Sequence, residues 1–212
     1  MTFDIEWWWS FQEKISEQFD FSKFREEAAA RLVSNTKQNI SLIKERIEGN
    51  NLILVGAGLK NDTKIPNKNI IVADGALRAC LEQDITPSIV VTDLDGYIPD
   101  ILCAREKGSE IVLHAHGDNI ARVFQYILEI DPNCITTTYP SVTSSCWGGF
   151  TDGDRALMMS LSLNCNTVKM MGFDYKIIGD YSGDYSPRKL EKLFWAKKIV
   201  EACRKRSNKI IV

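Results

Sequence analysis

Residues 69–96 read "NIIVADGALRACLEQDITPSIVVTDLDG", and this stretch decides the architecture. Two β-branched runs, apolar on both faces, "NIIVAD" (69–74) and "SIVVTD" (88–93), flank the helix-like "GALRACLEQDI". Strand, helix and second buried strand make a crossover unit, and such units stack into a parallel sheet covered by helices on both sides. The rhythm continues in both directions. Strand-like runs recur at 51–56, 110–118, 134–138, 167–174 and 209–212, with helix-like segments such as "NIARVFQYILEID" and "DGDRALMMSLSLN" between them. Residues 49–212 are therefore predicted to form an α/β domain with an open, doubly wound, mostly parallel sheet.

Residues 1–48 carry no strand pattern and are predicted to be a helical N-terminal segment. In "FREEAAARLVSNTKQNISLIKERI", Leu32, Ile40, Ile43 and Ile47 are spaced to share one helix face, and "EGNN" ends the run. Trp7, Trp8 and Trp9 are adjacent, so on a helix they cannot all face one way. At least one is expected to meet another surface, such as a second subunit of a homo-oligomer.

The 212-residue chain, 44% hydrophobic and 25% charged, has the composition of an ordinary soluble domain. A net charge of −2 supplies neither the basic field that nucleic acid needs nor a polybasic membrane patch. An anionic ligand must be held by local groups or by a metal. The six cysteines, at 80, 103, 134, 146, 165 and 203, show no CxxC spacing and read as reduced, buried thiols. The start "MTFDIEWWWS" lacks a basic signal-peptide region, and no apolar run reaches the ~18 residues of a membrane span. A cytoplasmic protein is expected.

Strand after strand ends in a polar cluster: Gly56-Ala57-Gly58, Asp74-Gly75, Asp93-Leu94-Asp95-Gly96, His116-Gly117-Asp118-Asn119 and Gly172-Phe173-Asp174. Ligands of open α/β sheets bind beyond the carboxyl ends of the strands, which is where these clusters fall. Asp93 and Asp95 flank one residue, so on an extended chain both carboxylates point to one side. Like charges that close resist joint ionisation unless a cation lies between them, and Mg²⁺ with phosphate oxygens is the common solution. A capped turn is the alternative for the same residues. "VGAGLKN" (55–61) is half of a GxGxxG turn and suits a nucleotide loop or a plain tight turn equally. His114 and His116 form a His-x-His pair without a third zinc ligand at metal spacing. "WGGFTDGDRAL" (147–157) leads into a helix through Asp152 and Asp154, with Arg155 available for phosphate. "GFDYKIIGDYSGDYSPRK" (172–189) reads as a lid or a surface loop.

Taken together and in order, "AAARL" (28–32), "GAG" (56–58), "ADGA" (73–76), "TDLDG" (92–96), "HAHGDN" (114–119), "FTDGDRA" (150–156) and "MGFD" (171–174) resemble the archaeal 6-hydroxymethyl-7,8-dihydropterin pyrophosphokinase family. That family is related to thiamin pyrophosphokinases and to motility accessory proteins. The resemblance implies ATP- and Mg²⁺-dependent transfer of diphosphate to a pterin hydroxymethyl group, releasing AMP. It places Asp93, Asp95 and Asp118 at the metal and the chemistry, and Gly56, Gly58, Asp74, Gly75, Asn119 and Arg155 at the nucleotide. The pterin's amino edge suits one carboxylate, with Asp152, Asp154 and Asp174 as unranked candidates and Phe150 or Phe173 as an aromatic wall. Lys60 or Lys189 would neutralise further phosphate charge. One departure stands out: the family commonly continues "GAG" with Pro-Ser, where this chain has Leu59-Lys60. Rival expectations are a glycosyltransferase using an Asp-x-Asp metal site, thiamin pyrophosphokinase, and a non-catalytic nucleotide-binding module.

Overall fold

A computed structural model describes residues 3–60, 62–176, 178–182 and 185–211. Seven strands form one sheet: β1 (Asn51–Val55), β2 (Ile70–Ala73), β3 (Ile89–Thr92), β4 (Glu110–Ala115), β5 (Cys134–Thr137), β6 (Thr167–Met171) and β7 (Ile210–Ile211). Every pairing is parallel, in the order β5-β4-β3-β2-β1-β6-β7. The chain winds outward from β1 to β5, then returns to lay β6 on the other side of β1. The direction of winding reverses between β1 and β6, and in open sheets a crevice opens at such a point.

Alternate strand residues feed two cores, as the pleat requires. On one face Val55, Val72, Val90, Ile111 and Leu113 pack against α4 (Leu77–Leu81), α5 (Ile98–Glu106) and α6 (Ile120–Ile130). On the other, Leu54, Ile71, Val91, Val112 and Met170 meet α7 (Asp152–Ser162). Helix α7 is buried from Gly153 to Leu161, because α8 (Pro187–Arg206) and the N-terminal α1 (Trp8–Phe19) lie over it.

The N-terminal segment is helical in three pieces: α1, α2 (Lys23–Leu32) and α3 (Ile40–Ile47). Leu32 closes α2 and belongs to the opposite core from Ile43 and Ile47, so the single face expected for Leu32, Ile40, Ile43 and Ile47 is not formed. Residues 33–39 break the helix, with Gln38 donating to Thr143 and accepting from the Ile135 amide at the edge strand. Trp8 is fully buried, while Trp7 and Trp9 are half-buried against the same core. Trp7 sits edge-on to Phe11 with the Arg206 guanidinium over its ring. All three tryptophans thus meet the chain's own core. All six cysteines are free. Among the described residues, no helix is long and apolar enough to cross a membrane.

Candidate active site

The loop after β3 is organised around Leu94, which adopts a left-handed conformation (φ 66°) and buries its side chain completely. This is a costly conformation for a leucine, and four side chains hold it. Thr92 Oγ1 accepts from the Leu94 amide at 2.8 Å and donates to Asp74 at 2.5 Å. Asp74 also accepts from the Gly96 amide, and a Cβ on Gly96 would collide with the Asp74 carboxyl. Arg122 donates to the Leu94 carbonyl, and Asn119 donates to the carbonyls of Asp93 and His114 at 2.7 Å each. Asp93 and Asp95 therefore project from a tight turn, and the extended geometry expected for Asp93-Leu94-Asp95 is not the one adopted. The Asp95 amide donates back to Asp93 at 3.1 Å.

Three carboxylates from three loops converge here: oxygens of Asp74, Asp95 and Asp152 all lie within 4.8 Å of one another. One Asp152 oxygen is shut off from solvent without a hydrogen-bond partner. Burial, then neighbouring negative charge, pushes these acids up: Asp74 to about 7 and Asp95 to about 6. Asp152 is raised well above the ordinary range by burial and by Asp93, Asp95 and Asp74. Burial would raise Asp93 as well, but the His116 hydrogen bond and charge, with Lys192 and Arg155, hold it below the usual carboxylate range. Its partner His116 lies with Nε2 3.5 Å from Asp93 and its ring stacked on His114, centroids 5.4 Å apart. The buried His114 ring instead meets Thr136 at 3.0 Å. A carboxylate cluster that is this crowded, with an orphaned oxygen, has the donor chemistry of a hard divalent cation site.

Two cavities meet at the cluster. The larger, about 750 Å³, lies beyond β3, β4 and β5 and is walled by the N-terminal helices and the 146–150 loop. Phe19, Phe21, Phe150 and Trp147 give it aromatic surface, while Arg122, Arg155, Arg188 and Lys192 give it positive charge. The smaller, about 180 Å³, lies at the β1/β6 reversal, between the glycine turn after β1 and Phe173, Asp174 and Tyr175. Among the described residues, Asp95 and Lys192 alone line both.

The residues expected from sequence divide by position. Asp93 and Asp95 stand at the junction, and Asp74, expected at the nucleotide, joins Asp95 and Asp152 instead. Asp118 is not brought to this cluster: it sits half-exposed on the rim of the large cavity, 3.3 Å from Arg25. Asp154 spends its carboxylate on the Phe150 and Thr151 amides and the Thr151 hydroxyl, holding the start of α7. Arg155 braces the same loop through the carbonyls of Gly149 and Phe150, leaving Nε buried and unpaired. Asp174 opens on the small cleft, with one oxygen accepting from the Lys176 amide.

The glycines have neighbours of their own. A Cβ on Gly56 or Gly58 would come within 2.8 Å of the Gly172 carbonyl, and Gly58 N–H already donates there. Gly75 packs against Ala57 and the Tyr181 carbonyl. Backbone approach between loops accounts for these glycines without a phosphate. Segment 172–189, outside residues 177, 183 and 184, reaches the small cleft through Ile178, Gly179 and Ser182, while the Tyr181 hydroxyl donates to Glu82 at 2.9 Å. Lys189 lines this cleft, and Lys60 lines neither cavity.

Sequence reasoning missed the contribution of the N-terminal helices. Glu26 on α2 is buried in the large cavity's wall, accepting from the Gly117 amide at 3.0 Å and the Thr138 hydroxyl at 2.5 Å. It also missed Lys192. The available signal was Arg188 and Lys192 at i, i+4 on the proline-opened helix after the polar segment.

The profile of the family described as "6-hydroxymethylpterin diphosphokinase MptE-like" matches residues 26–180. Relatives named 6-hydroxymethyl-7,8-dihydropterin pyrophosphokinase share 35% identity in Methanocaldococcus jannaschii, 32% in Methanothermobacter thermautotrophicus and 33% in Pyrococcus furiosus. These alignments cover 93%, 93% and 92% of this chain and 94%, 94% and 91% of the relatives. This chain is an α/β protein with a parallel sheet and an acidic cluster at the carboxyl edge of that sheet. The chain belongs to the MptE-like 6-hydroxymethylpterin diphosphokinase family.

Proposed function

We propose that this protein transfers the terminal diphosphate of ATP to the hydroxymethyl oxygen of 6-hydroxymethyl-7,8-dihydropterin. The alcohol oxygen bonds to the β-phosphorus, the bond from that phosphorus to the AMP oxygen breaks, and the alcohol proton passes to water. The observation that carries this reading is the carboxylate cluster of Asp74, Asp95 and Asp152 set between two cavities of unequal size. Family membership and the relatives' names support it.

Mg²⁺ is the expected cofactor, and the residues fit it. Three carboxylates with oxygens within 4.8 Å of one another, one of them keeping an oxygen without a hydrogen-bond partner, are the hard oxygen donors such an ion takes. Asp74, Asp95 and Asp152 would hold the ion, with Asp93 alongside. When bound, it would neutralise phosphate charge and relieve the repulsion among the acids. The chain's own groups supply position and positive charge, which is most of what phosphoryl transfer requires.

The large cavity suits the nucleotide. Its 750 Å³ falls within the range of about 300–1,000 Å³ typical of ligand pockets, and it carries aromatic surface for a base and arginines for phosphate. The 180 Å³ cleft suits a bicyclic ring against Phe173, with Asp174 placed to accept from its amino edge.

Incubation with ATP, Mg²⁺ and 6-hydroxymethyl-7,8-dihydropterin should yield AMP and pterin diphosphate in equal amounts. Absence of AMP together with consumption of a sugar nucleotide would favour the glycosyltransferase reading, and thiamin diphosphate formation would favour the thiamin enzyme.

A further inference from the structure

In-line transfer sets donor and acceptor on opposite sides of the phosphorus that moves. The group in transit must then lie where two substrate sites meet, and the side chains it touches must face both. Among the described residues, only Asp95 and Lys192 line both cavities. Asp95 belongs to the carboxylate cluster. Lys192 is the cation of the pair, on the second turn of α8.

The lysine has no competing partner among the described residues. No carboxylate of the described residues pairs with its ammonium within 4.0 Å, although its charge acts on both Asp93 and Asp95. Its Nζ lies 5.8 Å from the centroid of the Phe150 ring. The adjacent cations are otherwise engaged: Lys189 donates to the Ser182 carbonyl, Arg188 lies over Phe19, and Arg155 is tied to Gly149 and Phe150.

We infer that Lys192 is a catalytic residue whose ammonium binds the β-phosphoryl group of ATP at the seam between the two cavities and follows that group onto the acceptor alcohol. This rests on the diphosphate-transfer reading above. Phosphate oxygens supply an anionic partner that the described residues do not give Lys192, and Trp195 and Ala196, both buried on α8, fix the helix that carries it.

The test compares binding of ADP, which carries a β-phosphate, with binding of AMP, which does not, by calorimetry on the full chain with Mg²⁺. Lys192→Met should weaken ADP roughly 10- to 100-fold and leave AMP and the melting temperature unchanged. Its turnover should fall by about 10²–10³, with Lys192→Arg restoring part of both losses. Equal weakening of AMP and ADP would overturn the inference and make Lys192 a prop against Phe150. Unchanged ADP affinity would overturn it too, as would failure of the wild type to bind ADP at all. Selective loss of ADP binding in a protein that forms no pterin diphosphate would sustain the role of Lys192 and reject the pterin reaction, so the two failures are distinct.

Discussion

Asp118 and Asp152 show that sequence order alone does not say which acids meet. Asp118 follows a strand end rich in ligand-type residues, yet its carboxylate faces Arg25 at the rim. Asp152 opens a helix, where an acid is ordinary, yet its carboxylate joins the cluster and keeps one buried oxygen without a partner. Asp152→Asn is expected to lower turnover at least a hundredfold and to weaken Mn²⁺ binding measured by electron paramagnetic resonance. Asp118→Asn should change Mn²⁺ affinity less than tenfold, and a reversed order would return Asp118 to the metal. The buried Asp74 makes a pH prediction of definite sign. Its folded value, about 7, exceeds the ordinary 3.8, so the folded state holds a proton that the unfolded chain releases. Its contribution is fully present below about pH 4 and is lost as pH rises to about 7, by up to about 4 kcal/mol. In metal-free buffer, denaturation should show that loss, and Asp74→Asn should reduce it over this window, the remainder coming from Asp95 and Asp152.

Between elements, the glycine turn after β1 shows why a motif and its packing need separate tests. Gly58 allows the 172–174 backbone to close on β1, and an alanine there would press on the Gly172 carbonyl and the Asp174 amide, at 2.8 and 2.9 Å. Gly58→Ala should therefore cost about 1–3 kcal/mol of stability with no nucleotide present, read as a shift in denaturation midpoint. No shift, with nucleotide affinity lost, would return the turn to a phosphate-binding role. The β3 loop depends on a longer chain of contacts. Leu94 is anchored by its own burial and by Thr92, Asn119 and Arg122 from three different segments. Leu94→Ala should cost about 2–5 kcal/mol and move both flanking aspartates, so turnover should fall further than stability alone explains.

At the scale of the whole molecule, the N-terminal helices behave as part of the catalytic domain rather than as an appendage. Trp8, Ile15, Ile43 and Ile47 are buried in the same core as Leu54, Val112 and Leu157. Trp8, Gln12, Phe19 and Glu26 also wall the large cavity. A chain beginning at residue 49 should accordingly lack near-ultraviolet circular dichroism and a cooperative thermal transition. A folded product with nucleotide affinity intact would make residues 1–48 an independent lobe.

Runs apolar on both faces and regularly alternating with helices were sufficient to read a parallel sheet from local sequence, because strand burial leaves a continuous apolar signature. The acids at the strand ends were legible for the same reason: a strand's carboxyl end is a local feature. Which of those acids meet was not legible. That outcome depends on the sheet order, which brings the loop entering α7 back across β2 and β3 and so sets Asp152 beside Asp74 and Asp95. It depends equally on a left-handed leucine that long-range contacts hold in place. The sequence by itself determined the layers and the acidic edge; only tertiary structure decided the cluster, the two cavities and the lysine between them, because through-space proximity of distant loops has no periodic trace along the chain.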